Sequence, residues 1–279
     1  MMASLDLTQV SSSMCFGGFV YKYKHYSTTT DCTMTFNIYL PPSVKVDSET
    51  KVPALYFLSG LTCNEDNMIT KAGALQYLSD KGIALITPDT SPRGCGIPGE
   101  DDSWDLGTGA GFYVDATTDK WSKHYNMYSY ISAELPSIIS ANFPIGGHGA
   151  IMIALRNPKM YKSVSAFAPI CHPSETPALK NTITEYLGPN KDDWVKYDST
   201  ELASNYQGPN INILMDQGSD DSLLKSNTLH PDHFVAAVEN SKEYINLQTR
   251  VHPGYDHGYY FIQSFIKDHI DFHSTFLLQ

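Results

Sequence analysis

Two short segments in the last third of the chain combine a carboxylate and an imidazole in an order that acid–base chemistry uses. The first is Asp216-Gln-Gly-Ser-Asp-Asp221, which follows an apolar run. A carboxylate beyond the end of a strand can orient a histidine and stabilise its imidazolium form. The same residues also suit a solvated acidic turn. The second is Gly254-Tyr-Asp-His257-Gly-Tyr-Tyr. A histidine on a tight, glycine-flanked loop is placed to act as a general base. The alternative is a capping loop in which Asp256 caps the next helix and His257 is incidental. Acid before histidine is one of the chain orders that catalytic triads adopt.

Three further groups carry weaker signals. Phe57-Leu-Ser-Gly-Leu-Thr-Cys63 leaves an apolar run, and its backbone N–H groups could point at a developing oxyanion. Ser59 and Cys63 within it are nucleophiles by residue type, and a plain small-residue strand exit fits equally. Pro144-Ile-Gly-Gly-His-Gly-Ala150 opens a helix, where glycines allow close approach of an anion. It is not GxGxxG and follows no strand, so a dinucleotide is not expected, and His148 reads as a structural residue. His269 and His273 lie four apart on one helix face, as a metal pair can. No third ligand has matching spacing, so the expectation is an exposed terminal helix face and neither metal nor cofactor.

These residues need elements to position them. Thr33–Leu40 alternates apolar and polar residues, which predicts a half-buried antiparallel strand near an edge of the sheet. Ala54–Leu58 and Ile83–Thr87 are short apolar runs, the pattern of strands buried on both faces. Between them Asp66–Lys81 has helical spacing, with Met68, Ala72, Leu75 and Leu78 as its stripe. Residues 88–120 are rich in Pro, Gly and Asp and predict a long irregular stretch. Helices are predicted over Ser122–Ser140, Gly149–Arg156, Pro231–Ser241 and Tyr259–Leu278, and strands over Ser163–Ala168, Ile211–Met215 and Leu247–Val251. Alternation of strands and helices along the chain predicts one α/β domain, residues 1–279, with a mostly parallel central sheet.

Composition excludes several classes. Nineteen Lys plus Arg against thirty Asp plus Glu give a net charge of −11, and no basic cluster appears, so nucleic acid is not an expected partner. No run of about 18 apolar residues is present, so no membrane span is expected, and residues 1–13 do not read as a secretory signal. Five widely spaced cysteines without a CxxC pair suit reduced thiols in a cytosolic protein.

Several longer stretches resemble one family. Leu58-Ser-Gly-Leu-Thr-Cys63, Thr87-Pro-Asp-Thr-Ser-Pro-Arg-Gly94, Asp102-Ser-Trp-Asp105 and Gly109-Ala-Gly-Phe-Tyr-Val-Asp115 carry the likeness. So do Tyr161-Lys-Ser-Val-Ser-Ala-Phe-Ala-Pro169, Asp216-Gln-Gly and Gly254-Tyr-Asp-His257. Together they resemble S-formylglutathione hydrolase (esterase D), within the α/β-hydrolases, from about Cys15 onward. The resemblance implies a cofactor-free Ser-Asp-His hydrolase that releases glutathione and formate from a small thioester in formaldehyde detoxification. It assigns Asp221 as the triad acid and His257 as the base. It assigns the Leu61 N–H to the oxyanion hole and makes Cys63 a thiol close to the site but not the nucleophile.

The chain departs from that pattern at its centre. The family places its serine in a Gly-His-Ser-Met-Gly-Gly elbow after a short buried strand, whereas here Ala141-Asn-Phe-Pro-Ile145 runs directly into Gly146-Gly-His-Gly-Ala. Roughly a dozen residues are absent, including that strand, the serine and a second oxyanion donor. No GxSxG occurs anywhere in the sequence. The implied sheet is therefore interrupted between Ile145 and Gly146, and an exposed edge there would favour association into a homodimer. Pro177-Ala-Leu179 also replaces the family's Pro-Trp-Gly.

Overall fold

A computed structural model describes residues 7–44, 51–143, 145–146 and 151–279. The chain divides into two compact units, Met1–Gly147 and His148–Gln279.

The first unit holds a six-stranded sheet in the order β1-β2-β3-β5-β4-β6. β1 (Thr8–Cys15) and β2 (Gly18–Ser27) form a hairpin. Its two turn residues, Phe16 and Gly17, both have positive φ, 47° and 75°. That is the turn whose twist matches paired strands. β1 is serine-rich and exposed along nearly its whole length, so no apolar alternation announces it. β3 (Cys32–Leu40) is the predicted antiparallel strand, but it lies between β2 and β5 (Ala84–Pro88) rather than at the edge. Met34, Phe36 and Ile38 are accordingly buried. β4 (Val52–Tyr56) runs parallel to β5, all five residues of which are buried, as its unbroken apolar run requires.

The predicted helix over residues 66–81 is two helices, Asp66–Lys71 and Leu75–Lys81, parted at Ala72-Gly73-Ala74. Its stripe is nevertheless right, since Met68, Ala72, Leu75 and Leu78 are all buried. Burial of a stripe survives a break in the helix when both halves face one sheet. Residues 88–120 are turns with isolated bridges, as expected. The helix predicted from Ser122 begins at Met127 and runs to Asn142 through a wider turn at Tyr130–Glu134. Glu134 there accepts from the Ser27 hydroxyl at 2.7 Å and from the Thr28 and Thr29 amides at 3.0 Å, tying helix to hairpin. β6 (Ile145–Gly146) pairs with β4 over two residues, Val52 with Ile145 and Pro53 with Gly146. A stub of strand thus stands where the resemblance implies an interruption.

The second unit holds three parallel strands in the order β7 (Val164–Phe167), β8 (Ile211–Gly218), β9 (Ile245–His252). Among the described strands parallel pairings outnumber antiparallel ones, and helices accompany both sheets. Helix Ile151–Arg156 ends before Asn157-Pro158, as predicted. Its expected first residues, Gly149 and Ala150, lie outside the described residues. Helices Pro231–Glu239 and Tyr259–Leu277 match their predicted spans closely. In the latter, Phe261 and Ile270 are buried while Phe265 and Phe272 are half-buried. Three short helices, Lys180–Leu187, Lys191–Trp194 and Ser199–Ser204, have no counterpart in the sequence reading. A capping signal was available for the last of them: Asp198 precedes it and accepts from the Thr200 and Glu201 amides at 2.9 and 3.2 Å. Among the described residues no helix is long and apolar enough to cross a membrane.

Candidate active site

β8 continues through Gly218, three residues past its predicted end, so Asp216 and Gln217 belong to the strand and not to a loop. That corrects the reading of the acidic segment as a single loop and separates its carboxylates into two environments.

Asp221 is fully buried and caps the short helix Ser222–Lys225. Its Oδ1 accepts from the Leu223 and Leu224 amides at 2.8 and 3.3 Å. Its Oδ2 accepts from Gln217 Nε2 at 2.9 Å and lies 2.7 Å from His257 Nδ1. Burial pushes the carboxyl pKa up, but the bond to His257, with its charge, and then Gln217 and the Leu223 amide outweigh it, so the value is lowered. An ionised carboxylate only accepts, so His257 Nδ1 carries the proton and Nε2 keeps its lone pair. His257 is 44% exposed, and its Nε2 has no hydrogen-bond partner among the described residues. A buried acid thus holds one imidazole nitrogen while the other stays open, the geometry that a general base needs.

Backbone bonds close the two loops on each other. Ser219 N–H donates to His252 O at 3.0 Å, Asp220 N–H to Tyr255 O at 2.9 Å, and Gly254 N–H to Ser219 Oγ at 3.0 Å. Gly218 has no space for a side chain: a Cβ there would overlap the Tyr255 carbonyl and approach the Asp256 carbonyl to 2.7 Å. Glycine is required because the histidine loop lies directly on the strand end. Asp256 Oδ1 accepts from the Gly258 amide at 2.8 Å, closing a turn before the last helix, whose N-cap is Gly258 and has no side-chain capping bond. The expected capping by Asp256 is therefore not what the structure shows.

Asp216 does different work. Arg250 grips it through Nε at 2.7 Å and Nη2 at 2.6 Å, His252 Nε2 lies 2.9 Å away, and His269 Nε2 lies 3.3 Å away. Burial alone would raise its pKa, but His269 and the Arg250 fork hold it well below the usual carboxylate range. The exposed-face reading of His269 and His273 is wrong, because only 2% and 8% of them is exposed. His269 Nδ1 lies 2.8 Å from Ser165 Oγ, and His273 bridges Ser163 Oγ and Ser165 Oγ at 2.9 and 2.8 Å. Both rings pin the last helix to β7 and are not a metal pair. Sequence reasoning missed this because hydroxyl partners on another strand leave no spacing signal.

Of the remaining candidates, Leu61, Cys63 and Ser59 lie in the first unit. Leu61 sits in a turn, and its N–H has no acceptor among the described residues. Its neighbours are held: Thr62, at φ 65°, donates to Gly109 O at 2.9 Å, and Cys63 N–H donates to Gly60 O at 3.3 Å. Cys63 is in no disulfide and is half-buried, and its carbonyl accepts from Thr90 Oγ1 and Arg93 Nη2. Ser59 is buried, with its carbonyl accepting from Tyr113 Oη at 2.7 Å. His148 lies outside the described residues. Pro177–Leu179 forms a single 3-10 turn.

Parallel strands flanked by helices, with an acid after one strand and a histidine after the next, define an α/β-hydrolase-type esterase. The Esterase family model matches residues 27–272. S-formylglutathione hydrolase of Rattus norvegicus is 51% identical to this chain, covering 98% of it and 99% of the relative. The enzyme of that name from Arabidopsis thaliana is 47% identical, with 97% and 98% covered. Among solved structures, an S-formylglutathione hydrolase from Agrobacterium tumefaciens superposes with a TM-score of 0.90 at 39% identity, covering 97% of this chain and 99% of that one. The chain belongs to the S-formylglutathione hydrolase family. The alignment with the rat relative runs over 285 residues and is longer than this 279-residue chain, so the relative has residues with no counterpart here.

Proposed function

We propose that this chain is a serine thioester hydrolase of the S-formylglutathione type in which the nucleophile elbow is missing between Ile145 and Gly146. The observation that carries the reading is the Asp221–His257 pair, 2.7 Å apart with His257 Nε2 open, in a chain 51% identical to an S-formylglutathione hydrolase. We read residues 1–279 as one hydrolase domain acting on a small thioester in the cytosol, without a cofactor, and as a homodimer.

When the elbow is present, the chemistry follows from the pair. His257 Nε2 takes the serine proton as the hydroxyl attacks the formyl carbon, and Asp221 stabilises the imidazolium that forms. The Leu61 N–H serves the tetrahedral oxyanion. A thiolate leaves with little protonation, so the later acid role of His257 is modest. Glutathione departs, and water activated by the same imidazole releases formate. Without the serine the covalent route is closed, and only weak catalysis from the remaining groups is expected.

The missing serine also favours a second reading, an α/β-hydrolase-like protein that binds without turnover; a short-chain carboxylesterase would differ from the first reading in substrate alone. The test is a fluorophosphonate label plus a formyl-thioester assay on the chain and on a version with a strand and Gly-x-Ser-x-Gly elbow inserted between Ile145 and Gly146. The expected result is no stoichiometric labelling before insertion, with labelling and turnover after it. Rapid turnover of the uninserted chain that His257→Ala abolishes would overturn this and point to Ser59 or Cys63. A restored elbow that labels but prefers aryl esters would support the carboxylesterase.

A further inference from the structure

Away from the Asp221–His257 pair, four residues of the second unit bring ligand-type atoms together at the start of helix Pro231–Glu239. One ligand atom each from His230, Asp232 and His233 lies within 4.8 Å of the others. A third imidazole adjoins them, with His172 Nδ1 2.8 Å from His233 Nδ1. The His230 and His233 rings stack at 4.4 Å and 20°. His230 Nε2 is buried without a hydrogen-bond partner, an expensive arrangement for a lone pair or an N–H that nothing else explains. We propose that His230, Asp232 and His233, joined by His172, form a binding site for a divalent transition cation of the Zn2+ class.

The donor set fits such an ion. Imidazole and carboxylate are the zinc ligands outside thiolate sites, with bonds of about 2.0–2.2 Å, so tetrahedral ligand atoms stand about 3.3 Å apart. The 2.8 Å and 4.8 Å separations bracket that value, and the rings of half-exposed side chains can close the difference. The His172 and His233 rings already share a hydrogen bond through their Nδ1 atoms, and a cation would take the place of the shared proton. With Nδ1 on the ion, His172 turns Nε2 toward Glu201 Oε1 at 3.5 Å and Asp198 Oδ2 at 4.0 Å. That carboxylate behind a ligating imidazole is a recurring feature of metal sites. A helix start disfavours a cation, and the Asp232 carboxylate in the first turn offsets that.

The backbone is shaped for the cluster too. His230 holds φ 49°, and Leu229 before it is buried against Ala168 and Phe261 while its carbonyl accepts from Cys171 N–H at 2.7 Å. The loop carrying His172 and the loop carrying His230 are thus already joined next to the site.

The test is calorimetric titration of the chelator-treated full chain with ZnCl2, beside a His230→Asn/His233→Asn double variant checked for folding by circular dichroism. Asn tolerates the left-handed conformation at position 230. One-to-one binding, weakened at least 30-fold in the double variant, is the expected result. X-ray absorption at the zinc edge on the unsubstituted chain should show nitrogen and oxygen neighbours, including at least two imidazoles. Equal affinity in a folded double variant overturns the site, as does a sulfur-containing shell, and the second result stands even if the variant fails to fold.

Discussion

Asp216 and Asp221 sit five residues apart, both fully buried and both facing histidines, yet they serve opposite ends. Asp216 is enclosed by Arg250, His252 and His269, with Arg250 reaching Asp268 as well at 2.8 Å. Asp221 spends most of its acceptor capacity on backbone amides and Gln217 and presents one oxygen to one histidine. His269 is sealed in with 2% exposed, while 44% of His257 is exposed. A carboxylate with a sealed imidazole is a brace; a carboxylate with an open imidazole has the geometry of an acid–base pair. Residue type and spacing do not distinguish them, whereas the access of the far nitrogen does.

Four experiments bear on that contrast. The largest effect concerns chemistry. In an elbow-restored chain, His257→Ala should lower kcat by about 10^4-fold or more. His269→Asn in the same background should leave the pH dependence of kcat/KM intact while lowering the melting temperature. Equal losses of kcat in both would erase the distinction.

Next in size is the brace. Asp216→Ala leaves Arg250 with only the exposed Asp268 carboxylate and His269 without its facing oxygen, and should cost about 3–5 kcal/mol in urea unfolding. Asp221→Ala removes a helix cap and the Gln217 bond, and should cost only about 1–2 kcal/mol. A reversed order would show that the catalytic-type acid, not the brace, holds the fold.

Gly218→Ala tests how the pair is brought together. The added methyl meets the Tyr255 and Asp256 carbonyls, which should cost about 1–3 kcal/mol and displace His257 from Asp221. Nitrogen-15 shifts of the His257 ring report the loss of its Nδ1 bond, and an unchanged spectrum would contradict the close-approach argument.

The smallest effect is in pH. Both aspartates have folded pKa values below the unfolded value of about 3.9, so their stabilisation is complete above that pH and is lost as pH falls through the folded values. Burial holds His269 below its unfolded value of about 6.5, so its contribution too is complete above that pH and declines on acidification. Unfolding midpoints in urea should fall in two stages on acidification, and Asp221→Ala should flatten the lower stage only in part, since Asp216 remains.

The fold was legible wherever burial imposed a period. β5 reads as a short, largely apolar run because both of its faces are covered, and the Met68–Leu78 stripe reads correctly although the helix beneath it is broken. β1 was not legible, because an exposed edge strand of serines has no buried face to write a pattern. The short helices between 180 and 204 went unread because their stability comes from caps and tertiary packing, not from a long amphipathic face. At the site, the order of Asp221 and His257 and the glycine flanking were visible, as was the loss of the elbow, which is a matter of spacing alone. The His172–His230–His233 group was not, since His172 lies 58 residues before His230.

The sequence by itself determined the α/β class, the family, the order of Asp221 before His257, and the absence of a GxSxG serine, because these depend on residue order and on period. Tertiary structure alone decided which carboxylate of the acidic segment is the base's partner, that His269 and His273 are buried anchors, and that Gly218 must lack a side chain. Each of those is set by the distance and solvent access between atoms far apart in the chain, and local spacing carries no information about either.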